Sequence, residues 1–315
     1  MIKNKILILE GGFNEEHEVS LKTSAEIQKI FKKNKIQFST LKVNPANFER
    51  KISKFKNYVC FNALHGPFGE DGQVQKILKK FKIKFTHSGI KSSALCFNKF
   101  ATKKVIFNNK ILTPKFIILK TTNINKDKLI DFKKKYKKFV IKPIKSGSSF
   151  GVTIIKNNKD LKLLINKINT LKSKLSLHKY VILEEFISGK ELTVATIQFT
   201  KKIIPLAVTE IKPSNSFFDY QSKYSEGYAK HILPANITKK NYKKCLNIAV
   251  KSHSILKCKS IARTDFIFKK TNNKIYFLET NTQPGLTSLS LLPEQAKFKN
   301  ISFEKIILGI LKKIN

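Results

Sequence analysis

Arg263-Thr264-Asp265 and, a short break later, Leu278-Glu279-Thr280-Asn281-Thr282-Gln283-Pro284-Gly285 are the stretches whose reading decides what this chain is. Asp265-Phe266-Ile267-Phe268 and Ile275-Tyr276-Phe277-Leu278-Glu279 are β-rich runs, and the Lys-Lys-Thr-Asn-Asn-Lys between them is a hairpin signal. Strand pairing then brings Asp265 beside Glu279. Side chains two apart share a strand face, so Glu279 and Asn281 point the same way. One guanidinium, two carboxylates and an amide converge. Oxygen donors of this kind, completed by phosphates and waters, are how magnesium is held at nucleotide sites. Ordinary charges on a surface hairpin would give the same two runs, but the Asn-Thr-Gln-Pro-Gly that follows is a poor strand and a good active-site loop.

A chain of 315 residues has room for two or three domains with real cores, and a hydrophobic content of 41% argues a soluble globular protein. No apolar run reaches the roughly eighteen residues of a membrane span. Met1-Ile2-Lys3-Asn4-Lys5 leads into a short strand rather than a signal peptide, which points to the cytoplasm. The cysteines at 60, 96, 245 and 258 show no metal or redox spacing and fit a reducing compartment. A net charge of +41 suggests nucleic acid at first sight. Yet only Arg50 and Arg263 are arginine among 62 basic residues, whereas surfaces that read bases or fork phosphates favour arginine. Runs such as Lys133-Lys134-Lys135 read as solvent-facing helix, and abundant Lys, Ile, Asn and Phe without Trp match the codon bias of an A+T-rich genome. The charge is therefore compositional, with neither nucleic acid nor membrane as partner.

Ile6-Leu7-Ile8-Leu9 is a buried-strand run ending at Gly11-Gly12, and Val19 to Phe31 has helical spacing. Tyr58 to Leu64 reads as a second strand, broken by His65-Gly66-Pro67-Phe68-Gly69-Glu70-Asp71-Gly72, after which Val74 to Leu78 restarts a helix. Strand, glycine loop and helix, twice over, predict an open parallel α/β domain over residues 1–95 with its loops at the strand C-termini. Short strands and lysine-rich helices follow over 96–183, and 184–315 is strand-rich and holds the candidate metal ligands. No low-complexity linker separates these parts, so they are expected to pack around one cleft.

Gly147-Ser148-Ser149-Phe150-Gly151 matches the Gly-x-Ser-x-Gly elbow of serine hydrolases, which would make Ser149 a nucleophile. An elbow needs a helix after its turn, and Val152-Thr153-Ile154-Ile155 is another strand. Nor is this a Walker loop, because Lys142 precedes the glycines. What remains is a hairpin whose Gly/Ser tip offers amides and hydroxyls to phosphates, with Lys142 at the strand end to neutralise charge.

Together with Glu10-Gly11-Gly12, Glu16-His17-Glu18-Val19-Ser20, Glu184-Glu185-Phe186-Ile187-Ser188-Gly189-Lys190-Glu191 and Tyr220-Gln221-Ser222-Lys223-Tyr224, these stretches resemble the D-alanine:D-alanine ligases of the ATP-grasp superfamily over nearly the whole chain. The resemblance implies an α/β (α+β ATP-grasp) fold. The N-terminal open parallel α/β domain would precede a two-lobed ATP-grasp unit, with 96–183 as its small lobe and 184–315 carrying the metal and second-substrate site. It also implies a reaction of peptidoglycan precursor synthesis. ATP phosphorylates the carboxylate of one D-alanine, and the amine of a second attacks the acyl phosphate.

By the same likeness Glu16 holds the ammonium of the first D-alanine with His65 nearby, and Ser148 fixes Glu16 in a hydrogen-bonded group that includes Tyr224. Lys99, Lys142 and Lys223 resemble the phosphate-binding lysines, Ser149 belongs to the loop over the phosphates, and Glu184 and Glu191 correspond to the adenine and ribose ligands. Asp265, Glu279 and Asn281 would bridge two Mg²⁺ ions to ATP, with Mn²⁺ able to substitute. Arg263 and the Gly285 amide match the family's oxyanion donors, worth on the order of 3 kcal/mol each. Ser288 with Leu289 would receive the carboxylate of the second D-alanine. A homodimer is implied, and the segment from Lys212 to Lys230 is expected to close as a lid. Tyr224, where D-lactate ligases carry a histidine, implies D-alanine as second substrate, because a neutral phenol does not repel an ammonium. The chain departs from the family at His17, Lys76, Thr264 and Thr280, and at Pro67-Phe68, which is expected to stiffen or narrow the first subsite.

Overall fold

The computed structural model describes residues 5–147, 151–213 and 229–314; Ser148, Ser149, Lys223, Tyr224 and most of the expected lid lie outside the described residues. Three sheets organise the chain. The first has strands β1 (Lys5–Gly11), β2 (Phe38–Val43), β3 (Tyr58–Asn62) and β4 (Lys84–Phe85) in the order β2-β1-β3-β4, all parallel. Ile6 to Leu9 are wholly buried because both faces of a parallel sheet are covered, and the helix His17–Lys33 supplies one cover through Ile27 and Phe31. The expected open parallel domain is present. β2 and β4 were not legible, since neither carries a continuous apolar run.

The second sheet, β5 (Phe116–Lys120), β6 (Phe139–Pro143), β7 (Thr153–Ile155) and β8 (Tyr180–Glu185), is antiparallel in the order β5-β8-β6-β7. β6 and β7 pair from Phe139↔Ile155 to Ile141↔Thr153, which makes the Gly/Ser stretch a hairpin connection as its sequence implied. The third sheet joins β9 (Lys190–Gln198), β10 (Ile204–Pro213), β11 (Ala229–Ile232), β12 (Ser260–Lys269) and β13 (Lys274–Asn281) in the order β11-β10-β9-β12-β13, again antiparallel.

Packing divides the chain differently from the boundary expected at residue 96. Cys96, Ile106 and Ile111 share a core with Val194, Phe266 and Phe277, so the helix Lys99–Asn108 belongs with the third sheet and only the stretch from β5 onward forms the small lobe. The reason is the helix's apolar residues, which face β13. A second core joins the first and third sheets: Ile6, Ile8 and Phe61 meet Ile261, Ile306 and Ile310, the last two from the helix Phe303–Leu311. Each such side chain contributes about 1.5–3 kcal/mol by leaving water. The two ends of the chain are thereby fused into one body, with the small lobe facing it across a cavity.

Candidate active site

The β12–β13 hairpin pairs Arg263↔Asn281, Thr264↔Thr280 and Asp265↔Glu279, and a bulge follows Asp265. A bulge bends the strand and re-aims neighbouring side chains, a device common beside active sites. Its turn uses Asn273 in the left-handed region, φ 54°, a conformation asparagine tolerates. Arg263 grips Asp265 with two parallel bonds, Nε to Oδ1 at 2.9 Å and Nη2 to Oδ2 at 2.8 Å, and the Thr193 hydroxyl donates to Oδ1 at 2.6 Å. Such a fork fixes orientation as well as charge. Glu279 Oε2 lies 3.4 Å from Lys99 Nζ, which also donates to the Ser146 carbonyl at 2.7 Å. Asn281 Oδ1 accepts the Gln283 backbone N–H at 2.7 Å, which orients the amide and leaves its second lone pair available.

A cavity of about 640 Å³ opens between the small lobe and the third sheet. Lys142, Glu184, Glu191, Asp265 and Glu279 all border it, with Val140, Phe186 and Ile187 supplying apolar wall. Glu184 is buried, and its two oxygens meet two lysines: Lys142 at 3.1 Å and Lys103 at 2.9 Å. Burial pushes its carboxyl up, but Lys103 and then Lys142 outweigh this and hold it below the ordinary glutamate value. Sequence reading gave Glu184 an adenine contact alone and missed Lys103, although a lysine four residues after Lys99 lies on the same helix face.

A smaller cavity of about 90 Å³ adjoins the first, lined by Glu16, His65, Gly147, Arg263, Asn281, Gly285 and Ser290 among others. Glu16 is buried against two glycines. A Cβ on Gly147 would stand 2.7 Å from its Oε2, and one on Gly66, whose φ is +70°, would collide with the same oxygen. Gly66 and Gly147 therefore stand side by side against the same oxygen of this carboxylate, with no room there for a side chain. His65 Nδ1 lies 3.4 Å from Glu70 Oε1, and its Nε2 is 2.9 Å from Thr23 Oγ1. Burial first, then the neighbouring Glu16, raise the Glu70 carboxyl, with His65 opposing. Glu70 was visible only as a loop acid. Lys99, Ser146, Arg263, Glu279 and Leu291 border both cavities, so the two share one wall.

The family model described as the D-ala D-ala ligase C-terminus matches residues 107–312. A D-alanine–D-alanine ligase of Pelagibacter ubique is 43% identical over 98% of this chain and 97% of its own. The chain belongs to the D-alanine–D-alanine ligase family. The crystal structure of such a ligase from Bacillus anthracis superimposes with a TM-score of 0.82 at 29% identity, covering 98% of this chain and 96% of the other. The same protein complexed with ATP gives 0.80 at 26%, with the same coverage. The fold is accordingly the α/β ATP-grasp architecture expected from the sequence.

At two places within this ligase site the geometry differs from what the sequence suggested. Ser288 is exposed and borders neither cavity, whereas Ser290 and Leu291 border the smaller one together with Leu289. A tight turn, in which the Ser290 N–H donates to the Thr287 carbonyl at 3.0 Å and its hydroxyl lies 2.8 Å from Thr287 Oγ1, carries the chain past Ser288 and brings Ser290 inward beside Gly285. Phe68 does not narrow the site. It stacks edge-on against Phe48 at 5.5 Å in the core of the first domain, and the exposed Pro67 borders neither cavity. His17 holds the Gly12 carbonyl through Nδ1 at 2.8 Å. Among the described residues no cluster of three or more His, Cys, Asp and Glu is arranged for a metal. Asp265, Glu279 and Asn281 nevertheless offer hard oxygen donors on adjacent strands, a set that suits a magnesium ion whose shell is completed by phosphate and water.

Proposed function

We propose that the protein joins two D-alanines to D-alanyl-D-alanine at the expense of ATP, through an acyl phosphate, as a step of peptidoglycan precursor synthesis. The observation that carries this reading is the shared wall of the two cavities, where Lys99, Arg263 and Glu279 stand between a nucleotide-sized space and a pocket lined by Glu16 and His65. ATP would fill the large cavity with Glu191 at its ribose and with Lys99 and Lys142 at its phosphates. Magnesium on Asp265, Glu279 and Asn281, with manganese able to replace it, supplies Lewis-acid compensation of phosphate charge.

The first D-alanine would place its ammonium on Glu16 and its carboxylate toward the shared wall. A carboxylate oxygen forms the new bond to the γ-phosphorus while the bond to the ADP oxygen breaks. The second D-alanine, its carboxylate near Ser290, loses its ammonium proton and adds to the acyl carbon. Arg263 and the Gly285 amide would hold the oxyanion until phosphate departs with the bonding pair. Ser148, Ser149, Lys223 and Tyr224 keep the roles that the resemblance implies. A cytoplasmic homodimer accords with the family; among the described residues no helix is long and apolar enough to cross a membrane.

Phosphate release from ATP and Mg²⁺ across a panel of D- and L-amino acids and D-lactate tests the reading. Release is expected with D-alanine, with D-alanyl-D-alanine as product by chiral chromatography. Equal release with L-alanine and no dipeptide would overturn it, and predominant D-alanyl-D-lactate in competition at pH 7 would overturn the assignment of the second substrate.

A further inference from the structure

Lys103 is the one lysine fully buried among the described residues, and none of the roles above uses it. It sits one turn after Lys99 on the helix Lys99–Asn108, so the two side chains leave the same helix face; Lys99 borders the large cavity, and Lys103 lies buried behind Glu184. Its Nζ lies 2.9 Å from Glu184 Oε2 and donates to Thr113 Oγ1 at 3.0 Å. Thr113 in turn donates to the Phe277 carbonyl of β13 at 2.9 Å, which fixes the lysine's depth. The other Glu184 oxygen meets Lys142 at 3.1 Å, at the cavity surface. Two ammonium groups against one carboxylate leave one positive charge in the cluster. Glu279, the next nearest acid, is itself matched by Lys99 at 3.4 Å.

Burying a lysine is costly, and burial does lower the Lys103 pKa to about 8. A buried ion pair is seldom a net gain over an apolar residue of the same volume, so packing alone is a poor reason to keep a charge there. We infer that Lys103 is a positioning residue for the nucleotide: by occupying Glu184 from behind, it leaves Lys142 with charge to offer an anion in the large cavity. The inference rests on the reading of that cavity as the ATP site. If Lys103 loses its charge, Glu184 and Lys142 become a neutral pair and the attraction for phosphate goes. If Glu184 is neutralised as well, Lys142 again stands alone with its charge.

The experiment measures ADP affinity, by displacement of a fluorescent ADP analogue, for the wild type, Lys103→Met, Glu184→Gln and the double variant Lys103→Met/Glu184→Gln. Lys103→Met is expected to weaken ADP binding about tenfold or more, the loss of one charge-assisted contact, and to raise KM for ATP in step while KM for D-alanine at saturating ATP moves far less. Relative to Glu184→Gln alone, which carries any loss of the adenine contact, the double variant should weaken ADP binding by less than about threefold, because without the Glu184 charge Lys142 is free for the anion whether or not Lys103 is present. Should Lys103→Met not fold, Lys103→Gln, which keeps a hydrogen bond to Thr113 without the charge, is read in the same way. Wild-type affinity in the single variant, or a loss on adding Lys103→Met to Glu184→Gln as large as the loss on adding it to the wild type, overturns the inference. A wild-type protein that binds no ADP would instead overturn the proposed function itself.

Discussion

Glutamate and glutamine differ by one oxygen, and at position 279 that oxygen faces both cavities beside Lys99. Glu279→Gln is expected to lower turnover by at least about a hundredfold with an unchanged circular dichroism spectrum, because a neutral amide binds Mg²⁺ poorly and leaves phosphoryl charge less compensated. Near-wild-type turnover at saturating Mg²⁺ would rule out the metal assignment. A second contrast separates two serines. Ser290→Ala should raise KM for the second D-alanine roughly tenfold, the value of one charge-assisted hydrogen bond, and Ser288→Ala should leave it alone. The reverse result would restore Ser288. Both serines follow the same Pro-Gly, and only the turn at Thr287 decides which of them reaches the pocket. The sequence holds no period that reveals such a turn, so it could not show that Ser290, two residues on from Ser288, is the serine that borders the cavity.

The β12–β13 hairpin was legible because two β-rich runs flank a polar break, and pairing through one register fixes every side chain that follows. The helix Lys99–Asn108 was placed with the small lobe, whereas its Ile106 packs with the third sheet; an amphipathic stretch names no partner. The helix Lys239–Ile255 has its own signature in pH. His253 on it is buried, packs its Nδ1 at 2.8 Å from Thr196 Oγ1 of β9, and has its pKa lowered by burial from 6.5 to about 4. His87 is lowered by burial, and secondarily by His65, to about 3. Both are neutral in the folded protein at pH values where the unfolded chain is protonated. The unfolded state therefore binds more protons between about pH 6.5 and 4, and stability falls as pH drops through that window. Urea denaturation at pH 5 should show a loss of about 1–2 kcal/mol per histidine relative to pH 7.5. His253→Gln should flatten the dependence, and an unchanged slope would show that His253 does not carry it.

At the scale of the whole molecule, the first domain and the C-terminal lobe meet through a buried joint of amides. Asn62 donates through Nδ2 to Gln283 Oε1 at 2.8 Å and to the Gly69 carbonyl at 3.0 Å, and Gln283 donates through Nε2 to the Leu64 carbonyl. Leu64 precedes His65, and Gln283 stands two residues from both Asn281 and Gly285. The joint thus ties the proposed first-substrate loop to the proposed metal and oxyanion loop. Gln283→Leu leaves these partners unsatisfied and is expected to cost about 1–3 kcal/mol of stability. It should also raise KM for the first D-alanine with KM for ATP nearly unchanged; equal rises in both would mean that the joint only holds the fold together. Contacts across hundreds of positions leave no local pattern, which is why the individual loops could be read and their fastening could not. There is a consequence for descent. A change at 62 or at 283 alone strands a buried amide, so the two positions are expected to be inherited as a pair: relatives with an apolar residue in place of Gln283 should also have replaced Asn62.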